Sequence, residues 1–281
     1  MIEVKNVSYT YMSGGPFETA ALKNVSLSLT DGAFIGLMGH TGSGKSTLVQ
    51  IIGGLEKPTE GSVVIDGQTL HSKECDMRAM RFKIGLVMQY PEYQLFEETV
   101  FRDIAFGPTN MGLSEQEIRD RVELAADLAG VKRELLEKSP FELSGGQKRR
   151  AAIAGILAMQ PKILILDEPT AGLDPAGREE LLHKIRDLHK RLGITVLFVS
   201  HSMEDIASMA DRIIVMNRGE AVMSGRPGEI FSRAEQLRGM GLSVPGITDI
   251  CDGLRKRGMP LPEGIYTMDR AVSEIERLLK K

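Results

Sequence analysis

The sequence predicts an α/β fold built on a mainly parallel sheet with helices on both faces, and three observations predict it. Apolar runs without alternation, such as "AFIGLMG", "KILILDE" and "ITVLFVSH", have the pattern of strands buried on both sides. Amphipathic helical stretches lie between them, among them "PAGREELLHKIRDLHKRL". Strand and helix alternate along the chain, the order in which a parallel sheet is wound. At 281 residues with 42% hydrophobic content, the chain can hold one large domain, or one domain with a small appendage.

The elements follow in order. "IEVKNVSYTY" and "ALKNVSLSL" alternate as half-buried strands, joined by the polar, Gly-Pro-containing "MSGGPFETA". "AFIGLMG" is a continuous apolar strand, followed by a Gly-rich turn and the helix "KSTLVQIIGGL". "SVVIDG" and "IGLVMQ" read as further short strands. From about Pro91 to Gln160 the character turns helical, and "SEQEIRDRVELAADLAG" opens on Ser114 with Glu117 three residues on, the spacing of a capping box. Strand-like runs return as "KILILDE", "ITVLFVSH", "RIIVMNRG" and "EAVMSG". After about Arg226 the strands stop. Three short amphipathic helical segments, ending in "TMDRAVSEIERLLKK", predict a small separate helical unit.

Composition excludes several classes of function. A net charge of −3 gives no footing for bulk attraction to nucleic acid or anionic lipid. The absence of Trp and an aromatic content of 5% argue against base-stacking platforms, so no nucleic-acid partner is expected. No apolar run approaches the roughly 18 residues a membrane span needs. "MIEVKNVSYTY" has acids and alternation where a signal peptide has a basic start and an apolar stretch. Cys75 and Cys251 are far apart and lack metal-ligand spacing, which reads as two free thiols in a reducing compartment. A soluble, intracellular protein is expected.

Two stretches carry the chemistry of one site. "GHTGSGKST", Gly39 to Thr47, fits G-x-x-x-x-G-K-[ST] and lies between a strand and a helix. The backbone N–H groups of Gly39, His40, Thr41, Gly42, Ser43 and Gly44 can wrap a polyphosphate, Lys45 can reach the outer phosphates, and the hydroxyl of Ser46 can hold Mg²⁺. "KILILDEP" delivers Asp167 and Glu168 at the C-terminal edge of an apolar strand, where open α/β sheets bind ligands. Asp167 is then placed to hold Mg²⁺ through water, and Glu168 to polarise an attacking water as general base.

A third stretch looks at first like an error. "LSGGQKRRAAIAGILA" has helical spacing at Ile153, Ile156 and Leu157, yet it opens on Ser144, Gly145 and Gly146, poor residues for a first turn. Two readings fit: an ordinary serine N-cap with a flexible start, or a bare helix N-terminus that a ligand anion approaches closely.

With these residues in hand, the chain resembles the ABC-type ATPases over roughly residues 1 to 225. The resemblance implies a P-loop NTPase (RecA-like) core, an antiparallel β subdomain and an α-helical subdomain inserted at about 91–160, with residues 226–281 forming a small helical C-terminal domain. In that family "LSGGQ" is the signature, and Ser144, Gly145, Gly146 and Gln147 complete the phosphate site of the opposite subunit in a head-to-tail dimer. The resemblance also implies that Tyr11 stacks on adenine, with Tyr9 the weaker candidate. Gln89 senses Mg²⁺ and the attacking water, Asp174 belongs to the loop that communicates across the dimer, and His201 contacts the γ-phosphate. ATP and Mg²⁺ are the implied cofactors, hydrolysis the implied activity.

Within the family, the Gly-Pro-Phe-Glu insert after Tyr11 and the segment "LSGGQKRRAAIAGILAMQPKILILDEPTAGLDPAGR" are similar to the ATPases of energy-coupling-factor importers. That likeness implies a heterodimer with a second, related ATPase, in which residues 227 to 281 add dimer contacts. It further implies an integral membrane coupling subunit, substrate-specific membrane subunits for vitamins or metal ions, and a peripheral position on the cytoplasmic face of the membrane. The ATPases of conventional transporters and non-transport ABC ATPases are the rival readings. The stretch "YPEYQLFEETVFRDIAFG" is expected to form an apolar groove from Tyr93, Leu95, Phe96 and Phe101, with an acidic rim of Glu92, Glu97, Glu98 and Asp103 that receives arginines of the membrane partner. The plainer alternative makes Phe101, Ile104 and Phe106 core and the acids a solvated helix start.

Overall fold

The computed structural model describes residues 1–280; Lys281, the last residue of the expected C-terminal unit, lies outside the described residues. The chain opens with β1 (Ile2–Tyr11) and β2 (Thr19–Leu29), an antiparallel pair whose register runs from Ile2 opposite Leu29 to Tyr11 opposite Thr19. Ile2 and Val4 turn inward while Glu3 and Lys5 stay out, the period-2 pattern of a half-buried strand, and Val7 returns to the inner face after a register shift. β3 (Phe34–Met38) is buried at every residue and runs through the Gly39–Thr47 loop into α1 (Lys45–Ile52). β4 (Glu60–Ile65) and β5 (Gln68–Thr69) follow, then α2 (Met77–Lys83), capped by Asp76, and β6 (Ile84–Val87).

Three helices come next: α3 (Val100–Asn110), α4 (Glu115–Ala129) and α5 (Gly145–Leu157). Ser114 and Glu117 form the capping box that their spacing predicts, with Ser114 N donating to Glu117 Oε2 at 2.9 Å. The sheet resumes with β7 (Ile163–Asp167), α6 (Pro175–Leu192), β8 (Thr195–Val199), α7 (Met203–Met209), β9 (Arg212–Asn217) and β10 (Glu220–Gly225). The chain ends with α8 (Pro227–Phe231), α9 (Ala234–Gly239), α10 (Gly246–Lys256) and α11 (Met268–Leu279).

Two sheets result. One has four strands in the order β2-β1-β4-β5; the other has six, ordered β10-β9-β3-β8-β7-β6. In the larger sheet β9, β3, β8, β7 and β6 are parallel, and β10 closes one edge antiparallel. One apolar layer, with Ile35, Leu37, Ile165 and Leu197, joins the large sheet to α1 and the small sheet. The other, with Phe34, Leu164, Leu166 and Phe198, joins the opposite face to α3, α4, α5 and α6. Continuous apolar strands are explained by this double burial.

The C-terminal region differs from the sequence expectation. It holds four helices rather than three, and α8 and α9 insert Ile230, Phe231, Ala234 and Leu237 into the larger core. A separate small cluster, with Cys251, Leu261, Ile265 and Ala271, forms only between α10 and α11. Two short amphipathic turns cannot bury an apolar face on each other, so they use the flank of the sheet instead. Among the described residues no helix is long and apolar enough to cross a membrane.

The segment after Gln89 corrects a second expectation. Glu92 is turned inward onto Arg149, and Asp103, 9% exposed, accepts from the backbone N–H groups of Phe96 and Glu97. Only Glu97 and Glu98 of the four acids can face a partner, and Glu98 is paired with Arg102 on the surface. Of the three residues the plainer alternative makes core, Ile104 is, Phe101 is half-buried and Phe106 is exposed. Tyr93 and Phe96 are nonetheless exposed, and Phe96 meets Phe106 edge-on at 5.1 Å. Phe96 and Phe106, with Leu95, Gly155 and Met159, line an apolar groove of about 290 Å³, and the expected Tyr93 and Phe101 are not in its walls.

Candidate active site

The C-terminal ends of four neighbouring strands, β3, β8, β7 and β6, build the site. β3 leads to the Gly39–Thr47 loop, β6 to Gln89, β7 ends at Asp167 with Glu168 beyond it, and β8 to Ser200 and His201. Residues far apart in sequence meet here because parallel neighbours place equivalent ends side by side. They line a cleft of about 380 Å³ that holds Tyr11, Thr41, Gly42, Gly44, Lys45, Ser46, Thr47, Gln89, Asp167, Glu168 and His201. Larger clefts of about 580 Å³ beside Arg233 and about 460 Å³ beside His183 have no Gly-rich loop in their walls.

The loop's glycines are required by the chain itself. Gly44, at φ +98°, has a left-handed backbone, and a Cβ there would lie 2.6 Å from the carbonyl oxygen of Ala21. A side chain on Gly39 would strike Ser43 and the backbone of Met216. His40 is braced by Asn217 at 3.1 Å. Lys45, 6% exposed, donates to the carbonyl oxygens of Gly39 at 2.7 Å and His40 at 3.1 Å, and burial lowers its pKa. Ser43 Oγ is fully buried and has no partner among the described residues.

The two acids are buried at the same strand end. Asp167 is 5% exposed, and burial raises its pKa against the opposing pull of the Ser46 hydroxyl and Lys45. Burial pushes Glu168 up to about 7, with the charge of Asp167 adding to the rise. Glu168 has φ +51°, a strained value for a residue with a side chain. Its Oε2 accepts from the backbone N–H of His201 at 3.3 Å. Nε2 of His201 lies 3.1 Å from Oε1 but out of line for a hydrogen bond, so Oε1 has no donor among the described residues. Burial, followed by the charge of Lys45, lowers the pKa of His201.

The two tyrosines are told apart by their partners. Tyr11 lines the cleft with its hydroxyl 3.1 Å from Thr47 Oγ1, whereas Tyr9 donates to Glu56 Oε2 at 2.7 Å, which helps raise its pKa to about 12. Thr19, Ala20 and Ala21 also line the cleft, and sequence reading missed them. The hairpin register that sets Thr19 opposite Tyr11 is the signal that finds them, and the Met12–Glu18 insert hides it.

The signature residues and Asp174 lie outside this cleft. Ser144 caps α5, and Gln147 Oε1 accepts from Ser144 N at 2.9 Å, a capping box. At Gly145 and Gly146 a Cβ would meet nothing within 4 Å among the described residues, and neither backbone is left-handed. Nothing in their own chain asks for glycine. Asp174 caps α6 by accepting from Gly177 N at 2.7 Å.

Residues 22–171 match the family described as ABC transporter. The chain is 56% identical to the energy-coupling factor transporter ATP-binding protein EcfA2 of Caldanaerobacter subterraneus subsp. tengcongensis, over 99% of this chain and 98% of that protein. To the protein of the same name from Clostridium acetobutylicum it is 52% identical, again over 99% and 98%. Among solved structures, cbiO1 from Clostridium perfringens, part of the ABC transporter complex cbiONQ, aligns with a TM-score of 0.75 and 39% identity over 84% of this chain and 92% of that one. The dimeric post-hydrolysis structure of the ATP-binding cassette MJ0796, bound to ADP and Pi, aligns at 0.72 with 34% identity, over 80% and 98%. A phosphate loop, a buried acid pair and a glycine-started helix, arranged as they are on one sheet, agree with these likenesses: the chain is an ATP-binding ATPase of the ABC transporter family, in the group of energy-coupling-factor transporter ATP-binding proteins.

Proposed function

We propose that the chain is the ATP-hydrolysing subunit of an energy-coupling-factor importer, seated peripherally on the cytoplasmic face of the membrane. In this reading it pairs with a second, related ABC ATPase and drives an integral membrane coupling subunit, while small membrane subunits select vitamins or metal ions. Full-length similarity to energy-coupling-factor ATP-binding proteins supports the assignment. One observation carries the pairing. Glycine in a helix interior costs about 0.5–1 kcal/mol relative to alanine, and the chain's own packing gives no reason for glycine at Gly145 and Gly146. Their use lies in another molecule, whose phosphate comes close to the bare N–H groups.

Hydrolysis follows from the cleft. Tyr11 stacks on adenine, and the N–H groups from Gly39 to Thr47 hold the phosphates. Lys45, now turned onto the loop's own carbonyls, swings to the outer phosphates. The oxygen donors Ser46, Gln89 and Asp167 suit Mg²⁺, and Asp167 is buried with no hydrogen bond from Lys45, whose donors go to Gly39 and His40. Bound there, the ion neutralises charge on the β- and γ-phosphates. Glu168, with its free Oε1 and a pKa near neutrality, takes the proton of a water that attacks the γ-phosphorus, giving ADP and phosphate. His201 steadies the γ-phosphate, and Gln89 orients the water. The partner's Ser144, Gly145, Gly146 and Gln147 close the site, and Asp174 carries its state across the dimer. Loss of the γ-phosphate removes the bridge and the pair opens.

The apolar groove of Leu95, Phe96, Phe106 and Met159 is the surface on which the coupling subunit docks in this reading. Reversing Glu97 and Glu98 to Lys is expected to release the membrane partner; retained binding overturns the acidic rim. The whole assignment is tested by capturing the chain from gently solubilised native membranes and identifying its companions by mass spectrometry. A second ABC ATPase, one shared transmembrane subunit and several small membrane proteins are expected. A homodimer with one pair of permeases overturns the energy-coupling-factor reading, and no membrane protein at all overturns transport.

A further inference from the structure

One buried side chain ties together parts of the molecule that serve different nucleotides. Arg149 lies in α5, little more than a turn after Ser144, and is 4% exposed. Its Nε and Nη2 donate to Glu92 Oε2 and Oε1 at 3.0 and 2.7 Å, a bidentate fork. Its Nη1 donates to the carbonyl oxygens of Pro169 at 3.2 Å and Ala171 at 2.7 Å. Glu92 sits in the turn that follows Gln89, and Pro169 and Ala171 sit in the turn that follows Glu168. Between the two turns, the ring of Tyr90 lies 6.0 Å from the guanidinium. Burial alone pushes the Glu92 carboxyl up, but the hydrogen bonds and charge of Arg149 outweigh it and hold the carboxyl below its ordinary range.

The geometry leaves little slack. A planar guanidinium satisfies these acceptors in one orientation, and a lysine ammonium cannot reproduce the fork. A shift of the Gln89 turn therefore has to carry Arg149 with it or leave a buried charge unpaired, which is costly. α5 is continuous from Gly145 to Leu157, so a displacement at Arg149 reaches its N-terminus.

We propose that Arg149, locked by Glu92, is a positioning residue that couples the two ATP sites of the dimer. It fixes the helix start that completes the partner's site to the Gln89 and Glu168 turns that work on the chain's own nucleotide. The inference rests on the head-to-tail pairing stated above. Loss of the γ-phosphate in one cleft lets the Gln89 turn relax, and through Glu92 and Arg149 that relaxation withdraws Ser144–Gly146 from the other cleft.

The test uses the assembled complex, purified through a tag on this chain, with Glu92→Gln and Arg149→Lys. Glu92→Gln keeps the shape and one acceptor but removes the charge. ATP hydrolysis is measured against ATP concentration for the Hill coefficient, and ATP affinity is measured separately on the isolated chain. In the wild type the second nucleotide is expected to bind about tenfold more tightly than the first. Both variants are expected to bring the Hill coefficient down to about 1, with isolated-chain affinity within about twofold of wild type. A variant that melts at lower temperature but keeps the wild-type Hill coefficient makes Arg149 a packing residue and overturns the proposal. If Arg149→Lys fails to assemble, Glu92→Gln decides alone. A wild-type Hill coefficient of about 1 also overturns the coupling. Failure of the Glu168→Gln chain to close onto the second ATPase in ATP overturns the pairing itself, and the coupling with it.

Discussion

At the starts of α1 and α5 stand glycines that are there for opposite reasons. At α1, Gly44 has a left-handed backbone and a Cβ would press on the carbonyl of Ala21, so the chain cannot fold this loop with anything else. At α5, Gly145 and Gly146 have helical backbones and open space where a side chain would stand. The first helix start shares its cleft with Lys45, Asp167 and Glu168, and the second lies outside that cleft. Helix N-termini are equivalent as anion sites in principle. What differs, in the pairing proposed above, is whether the anion's other ligands come from the same subunit. Gly145 and Gly146, which their own chain does not require, fit that head-to-tail pairing.

The largest effect separates the chemistry at one helix start from the bridging at the other. Glu168→Gln is expected to lower ATP turnover by about 10²–10⁴-fold, read as phosphate release, while the ATP-closed dimer accumulates by size-exclusion chromatography with light scattering. Normal turnover in that variant removes Glu168 as the base and leaves the α1 side without a catalytic acid pair.

A second contrast is in pH. The pKa of Glu168 is about 7 folded against an ordinary 4.5, so the unfolded chain releases this proton first. Stability of the nucleotide-free protein therefore falls by about 3 kcal/mol as pH rises from 4.5 to 7 and stays low above it. Melting temperatures of wild type and Glu168→Gln are expected to separate progressively between pH 4.5 and 7 and to keep a constant offset above pH 7. Curves that stay parallel between those values would mean that the carboxyl is not held in a desolvated site.

The glycines test the comparison directly, with smaller changes of opposite sign. Gly44→Ala forces a side chain into a left-handed backbone and is expected to destabilise the isolated chain by at least about 1 kcal/mol and to abolish its ATP binding. Gly146→Ala is expected to stabilise the isolated chain by about 0.5–1 kcal/mol, with unchanged ATP binding and lost pairing. A Gly146→Ala chain that pairs normally breaks the comparison. Smallest of all, Tyr11→Ala should weaken ATP binding about tenfold through lost stacking, whereas Tyr9→Phe should stay within about twofold, because its hydroxyl is spent on Glu56.

Sequence by itself determined the local elements and the local chemistry. Continuous apolar strands, the Ser114–Glu117 cap and the Gly39–Thr47 loop are encoded over a few neighbouring residues, where propensity and spacing act directly. Only the tertiary structure decided which of those residues share a space. Strand order set four strand ends side by side, and hairpin register brought Thr19 beside Tyr11 in the cleft. Glu92 and Asp103 look from sequence like a solvated acidic rim, yet one meets Arg149 from the far side of the helical insert and the other accepts two backbone N–H groups. α8 and α9 read as part of a separate unit, but their apolar faces were closer to the sheet's flank than to each other. Charge pairing and burial depend on distance in space, and a sequence states distance only along the chain.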